Sequence, residues 1–183
     1  MIVFDTETTG LPLTEHAPLS SQPKIIEIAC IKLDFNLKEV ERFDALVNPE
    51  MPIPKAASAV NNISDEDVKD KPPFAGIYND LCNFFLGEKT IFAHNCPFDM
   101  NMLKFELKRL GYEYQFPYPT EQMCTVELSR PLLQSEDAPR SLRLMDLYHH
   151  AFDKKHAKAH RAMADVEALV EYIRWMQKNY LVW

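Results

Sequence analysis

The segment MIVFDTETTGLP, Met1 to Pro12, opens with an apolar run, Ile2 to Phe4, that meets Asp5, Thr6 and Glu7 and stops at Thr9-Gly10. It reads as a short buried strand running into a turn. Side chains two apart on a strand share a face, so Asp5 and Glu7 project together, roughly 7 Å apart along the backbone. Two carboxylates so placed repel each other, and an isolated Asp-x-Glu is most often a solvated strand end. The rest of the chain decides whether this one is.

Moving outward, residues 25–33, IIEIACIKL, are apolar at nearly every position, as expected of a strand covered on both faces. Lys38 to Val47 alternates more, with charges at Glu39, Glu41, Arg42 and Asp44. The linking DFNL suits a hairpin, which predicts antiparallel second and third strands with the third nearer an edge. The proline-rich NPEMPIPKAAS changes the texture of the chain. Ser64 before Asp65, Glu66 and Asp67 predicts the capped start of a short helix. Phe74, Ile77, Tyr78, Leu81 and Phe85 then fall at helical spacing until Gly87. Thr90 to Ala93 reads as a brief strand, and Pro97 sits near the start of a helix that ends at Gly111. A strand is expected at 121–124, helical segments near 125–133 and 141–150, and a last helix from about Arg161 to Lys178. Three early strands followed by strands alternating with helices predict an α/β domain, a mixed sheet covered by helices.

Composition narrows the classes of function. At 183 residues, 46% hydrophobic and 26% charged, the chain has the make-up of one globular domain rather than a disordered or fibrous protein. Its four glycines cannot write a dinucleotide fingerprint or a phosphate-binding loop. Cys30, Cys82, Cys96 and Cys124 show no zinc-site spacing and read as free thiols of a reducing compartment. No apolar run reaches the roughly 18 residues of a membrane span, and the N-terminus lacks a basic leader, so a soluble, cytoplasmic protein without membrane partners is expected. The net charge of −7 comes from residues 1–70, with 13 acidic and 6 basic side chains. A polyanionic partner would have to be held by local cations or by metal ions.

Two further carboxylates point inward. Asp99 shares a stripe with Leu103 and Leu107 in the first turn of its helix, and Asp165 shares one with Ala168, Leu169, Tyr172 and Met176. His160, five positions before Asp165, cannot converge with it on a continuous helix, but it can if the helix begins at about Arg161. Four inward carboxylates with a histidine at the rim form the inventory for two divalent, oxygen-loving cations, Mg2+ or Mn2+, and a general base. The basic run DKKHAKAHR, Asp153 to Arg161, with Lys154, Lys155, Lys158 and Arg161, is either a solvated loop or a contact to phosphates upstream of a cleaved bond.

Taken together, FDTETTGLP (Phe4–Pro12), HNCPFDMNML (His94–Leu103) and HRAMADVEAL (His160–Leu169) resemble the three ordered motifs of the DnaQ-like, or DEDDh, 3′ to 5′ exonucleases. That resemblance implies a ribonuclease H-like fold with a five-stranded mixed sheet, and residues 1–183 as a single exonuclease domain. It implies Asp5, Glu7, Asp99 and Asp165 as metal ligands and His160 as the base. Arg161 stands where the sister group has a tyrosine, in keeping with the histidine class. The resemblance further implies that Thr6, Thr8, Leu11, Asn61, Asn95 and Phe98 lie around the terminal nucleotide, Leu11 acting as a wedge. Val60-Asn61-Asn62-Ile63-Ser64 replaces the family's V-H-G-I-T, so any contact made by that histidine must be replaced or lost.

The activity so implied is hydrolytic release of nucleoside 5′-monophosphates from a 3′ end. Single-stranded DNA is favoured as substrate, since the second motif looks more like DnaQ proper than oligoribonuclease. An RNA-trimming enzyme and a non-catalytic nucleic-acid-binding scaffold are the alternatives. A free-standing enzyme, monomer or homodimer, is expected, with a DNA polymerase as a further candidate partner.

Overall fold

A computed structural model describes residues 1–14, 16–156 and 160–180. Its centre is β1 (Ile2–Thr8), flanked by β2 (Ile25–Leu33) and β4 (Thr90–Ala93), with β3 (Glu39–Leu46) and β5 (Glu121–Cys124) outside them in the order β3-β2-β1-β4-β5. β1, β2 and β3 pair antiparallel, and β4 and β5 run parallel to β1, giving the mixed sheet expected. The β2–β3 turn is built as the sequence suggests: the Asp34 carboxylate accepts the N–H groups of Asn36 (2.8 Å) and Lys38 (2.9 Å). β2 is buried along almost its whole length, whereas β3 at the edge is largely exposed.

Among the described residues, seven helices cover the sheet: α1 (Lys55–Asn61), α2 (Asp65–Val68), α3 (Phe74–Phe85), α4 (Cys96–Leu110), α5 (Thr125–Ser129), α6 (Leu144–Phe152) and α7 (Ala162–Tyr180). Strand alternation divides the core. Ile2 and Phe4 pack with Leu81, Phe85, Leu103 and Leu107 of α3 and α4, while Val3, Ala29 and Ile31 pack with Leu169, Tyr172 and Ile173 of α7. Parallel neighbours require crossovers, and α4 supplies the one from β4 to β5. α2 opens on a reciprocal capping box between Ser64 and Asp67.

One helix lies where the sequence reading named none, and two local expectations change. The proline-rich stretch contains α1: Pro54 has the fixed φ that suits a helix start, and Asn62 ends the helix in a left-handed conformation (φ 56°). The helical segment near 125–133 divides into α5 and a 3-10 turn at Arg130–Gln134, because Pro131 removes a backbone donor there. The segment near 141–150 starts only at Leu144, since Arg143 is extended.

One buried ion pair fixes the start of β2. Glu106, on α4, accepts the Ile25 N–H (3.0 Å) and faces Arg109 Nη1 at 3.0 Å. Arg109 Nη2 in turn donates to the carbonyls of Leu19, Gln22 and Pro23 at 3.2, 2.8 and 3.0 Å. The pair therefore pins the β1–β2 connection, including the segment after Thr9, against α4. Replacing Glu106 with leucine strands both a buried donor and a guanidinium, so it is expected to lower the unfolding free energy by about 3–5 kcal/mol, read from urea denaturation.

Candidate active site

Asp5 and Glu7 lie on the α7 side of β1, together with Val3, as the two-residue alternation demands. Glu7 is half-buried at the C-terminal end of the strand, opposite Glu27 of β2. On the other face of β1, Thr6 makes the link to α4: its N–H and its hydroxyl both donate to Asp99 Oδ1, at 3.0 and 2.8 Å. Asp99 is in the first turn of α4 and only 1% exposed, the inward placement its helical stripe predicts.

The start of α7 is held from across the sheet. Arg161 Nη2 donates to Glu27 Oε1 at 2.6 Å, its Nε donates to the same carboxylate, and the Ala162 N–H reaches Glu27 Oε2 at 2.8 Å. The helix begins at Ala162, so His160 does lie in the preceding loop, with a left-handed backbone (φ 69°). Its N–H donates to Asp165 Oδ2 at 3.0 Å. Glu7, His160 and Asp165 each bring a ligating atom within 4.8 Å of the others, close enough to share a metal ion.

Electrostatics ties Asp5 and Asp99 to the same cluster. Burial, then the charges of Asp99, Asp165 and Glu7, pushes the Asp5 carboxyl well above the usual carboxylate range. Burial followed by Asp165, Glu27 and Asp99 pushes Glu7 up to about 8, with Arg161 opposing. Burial raises Asp99 to about 7 despite the two hydrogen bonds from Thr6. The four carboxylates hold more negative charge than the described neighbouring residues compensate. Their donor set is entirely hard oxygen, the chemistry of Mg2+ or Mn2+ sites, so these residues fit divalent cations.

The residues expected around a terminal nucleotide divide. Thr6, Thr8, Leu11, Asn61 and Phe98 line one cavity of about 350 Å³, bounded by Glu7. Leu11 is 78% exposed at its mouth, and Phe98 also packs on the core of α3 and α4. Asn61 is buried and its amide is spent on backbone, donating to the Thr8 carbonyl (3.3 Å) and accepting the Ile63 N–H (3.0 Å). Asn95 lies elsewhere: it is exposed, left-handed (φ 66°), and lines a second cavity beside Asp5 and Asp165. Lys158 lies outside the described residues. Arg161 is not available for phosphate, because its guanidinium is engaged by Glu27.

Two participants were not anticipated. His156 Nε2 contacts Asp165 Oδ1, although nothing in the basic run singles it out from its neighbours. The Glu27–Arg161 fork joins residues 134 apart in sequence. The signal for it was present, since a glutamate within a strand covered on both faces must find a partner.

A ribonuclease H-like sheet carrying this carboxylate cluster at the end of its central strand is the architecture of an exonuclease. Residues 2–173 match the exonuclease family model of the RNase T type, and the chain belongs to that family. Over 174 residues it is 33% identical to the DNA polymerase III subunit epsilon of Rickettsia typhi, covering 93% of this chain and 70% of that one. It is 32% identical over 178 residues to the PolC-type DNA polymerase III of Caldanaerobacter subterraneus subsp. tengcongensis, 97% of this chain but only 12% of the polymerase. In fold it is similar to the zinc-bound form of E. coli ExoI in complex with single-stranded DNA, with a TM-score of 0.80 at 20% identity, covering 98% of this chain and 41% of that one.

The raised carboxyls define a pH dependence. A carboxyl whose folded pKa is raised contributes stability that is complete below its unfolded value, about 4, and is lost as pH rises through the folded value. For Asp99 and Glu7 the loss therefore extends through about 7 and about 8. The melting temperature of metal-free protein is expected to fall between pH 5 and pH 9, and Mg2+ or Mn2+ to raise it more at pH 8 than at pH 5.5. Glu7→Gln should flatten the curve; a parent profile that is already flat would contradict the electrostatic account.

Proposed function

We propose that this exonuclease domain, residues 1–183, is a metal-dependent 3′ to 5′ enzyme that releases nucleoside 5′-monophosphates from the 3′ end of single-stranded DNA. The observation that carries the reading is the meeting of Asp5, Glu7, Asp99 and Asp165 beside His160. The names of its relatives, a DNA polymerase III subunit and a PolC-type DNA polymerase III, support DNA as substrate and a DNA polymerase as partner.

In this reading the four carboxylates hold two divalent cations, Mg2+ or Mn2+, which when bound supply Lewis-acid activation of water and neutralise phosphate charge. Thr6 keeps the Asp99 carboxylate turned toward β1. The Glu27–Arg161 fork fixes where α7 begins and hence where His160 and Asp165 stand. His160, exposed at the rim, takes the proton from the attacking water. Thr8, Leu11, Asn61 and Phe98 enclose the terminal nucleoside in the cavity bounded by Glu7. With its amide spent on backbone, Asn61 offers that nucleoside shape more than hydrogen bonding.

The test uses 5′-labelled DNA and RNA oligonucleotides with Mg2+, Mn2+ or EDTA. Stepwise shortening of single-stranded DNA, blocked by a 3′-phosphate and absent on a circular strand, is expected. Asp5→Ala and Asp165→Ala should nearly abolish turnover, and His160→Ala should lower it by roughly a hundredfold while retaining metal binding. Full activity in EDTA, or rapid cutting of the circle, would refute the mechanism; faster degradation of RNA would move the substrate assignment to RNA.

A further inference from the structure

Between β1 and β2 the chain makes an excursion whose two ends are tied together. The Thr9 N–H donates to the Lys24 carbonyl (2.9 Å), and the Lys24 N–H donates to Thr9 Oγ1 (2.9 Å). Thr9, Gly10 and Leu11, at its start, form one wall of the cavity assigned above to the terminal nucleoside. Leu11 and Leu13 then carry their apolar side chains out into solvent. The regular structure among the described residues of this excursion is a single 3-10 turn, Leu19–Ser21. Ordering a backbone costs conformational entropy, so an irregular segment keeps one shape only where bonds from outside it oppose that cost.

Gln22 supplies such bonds. It is only 4% exposed, and its side-chain amide reaches back across the excursion: Oε1 accepts the Leu13 N–H (2.9 Å) and Nε2 donates to the Thr14 carbonyl (3.2 Å). The Gln22 carbonyl in turn accepts Arg109 Nη2 (2.8 Å), and Arg109 is held by Glu106. A line of bonds therefore runs from α4, the helix that carries Asp99, through Arg109 and Gln22 to the backbone two residues beyond Leu11. Both polar groups of this buried amide are satisfied by the segment that presents the two leucines.

We infer that Gln22 is a positioning residue for the separation of paired ends. It holds Leu11 and Leu13 in place at the cavity mouth, so that entry of a paired 3′-terminal nucleoside forces its base off the opposite strand. An apolar side chain unstacks bases only when its backbone does not yield. A single strand needs no separation, so a slack segment costs it little. The inference rests on the exonuclease reading and adds to it a determinant that lies outside both the carboxylate cluster and the cavity lining.

The test pairs binding with turnover. On a blunt DNA duplex with 2-aminopurine as its 3′-terminal base, mixing with the parent protein in Ca2+ should raise the fluorescence as that base leaves the stack. Gln22→Met, which removes both bonds at similar volume, should reduce the rise at saturating protein. With Mg2+ it should lower kcat/KM on the duplex about tenfold more than on a single strand, while Mn2+ affinity and kcat on the p-nitrophenyl ester of thymidine 5′-monophosphate stay within about twofold. Gln22→Glu, which retains the acceptor for Leu13, should fall between parent and Gln22→Met, and it decides the comparison if Gln22→Met does not fold. Leu11→Ala should reproduce the duplex-specific loss, and adding Gln22→Met to it should change little, because both act on one event. Equal losses on duplex, single strand and ester would make Gln22 a general structural residue and overturn the inference. Additive losses in the double variant, or a parent that leaves the aminopurine stacked, would also overturn it. A parent that hydrolyses none of the three substrates with Mg2+ or Mn2+ would instead remove the exonuclease reading, and the role of Gln22 with it.

Discussion

Like charges crowded in a partly buried place are the constraint on which the rest of this structure depends. Burial raises the proton affinity of Asp5, Glu7 and Asp99, and the neighbouring carboxylates raise it further at Asp5 and Glu7. The fold keeps them together by giving individual carboxylates their own donors. Thr6 donates twice to Asp99, and the His160 backbone donates to Asp165. Glu27, a further negative charge beside the cluster, is matched by Arg161 and the first N–H of α7. What stays uncompensated among the described residues is negative charge facing the two cavities, the location at which cations and a phosphodiester would meet.

Much of this was legible in the sequence, because strands leave strong traces. The apolar run of β2, the alternation of β3 and the brief run of β4 all follow from which faces are covered. Asp99 and Asp165 could be assigned inward because helical periodicity relates them to leucines four residues apart or more. The residues with no such periodic context were harder. α1 follows a proline-rich segment and is seven residues long, too short for a periodic pattern to emerge above its small side chains. His156 reaches Asp165 from a loop, and loop geometry has no period to read.

The functional residues split along the same line. Positions on β1, α4 and α7 are given by regular elements and could be named in advance. Asn95 could be named, but not the cavity it lines, because that depends on how the connections after β4 and before α6 meet in space. Arg161 was readable as a cation but not as a partner of Glu27, since pairing across the sheet depends on where α7 docks.

The cluster also unites the first and the last described elements of the chain. Asp5 and Glu7 lie on β1, and Asp165 lies on α7, whose start is clamped to β2. During synthesis the carboxylates of β1 emerge early and wait until α7 has left the ribosome and docked. Contacts of such long sequence separation form late and slowly. A chain in which α7 has not yet docked thus lacks the fourth carboxylate and the adjacent histidine, and the proposed metal site is assembled only at that point. The activity proposed above is thereby withheld until β1 and α7 have come together, with no inhibitor required.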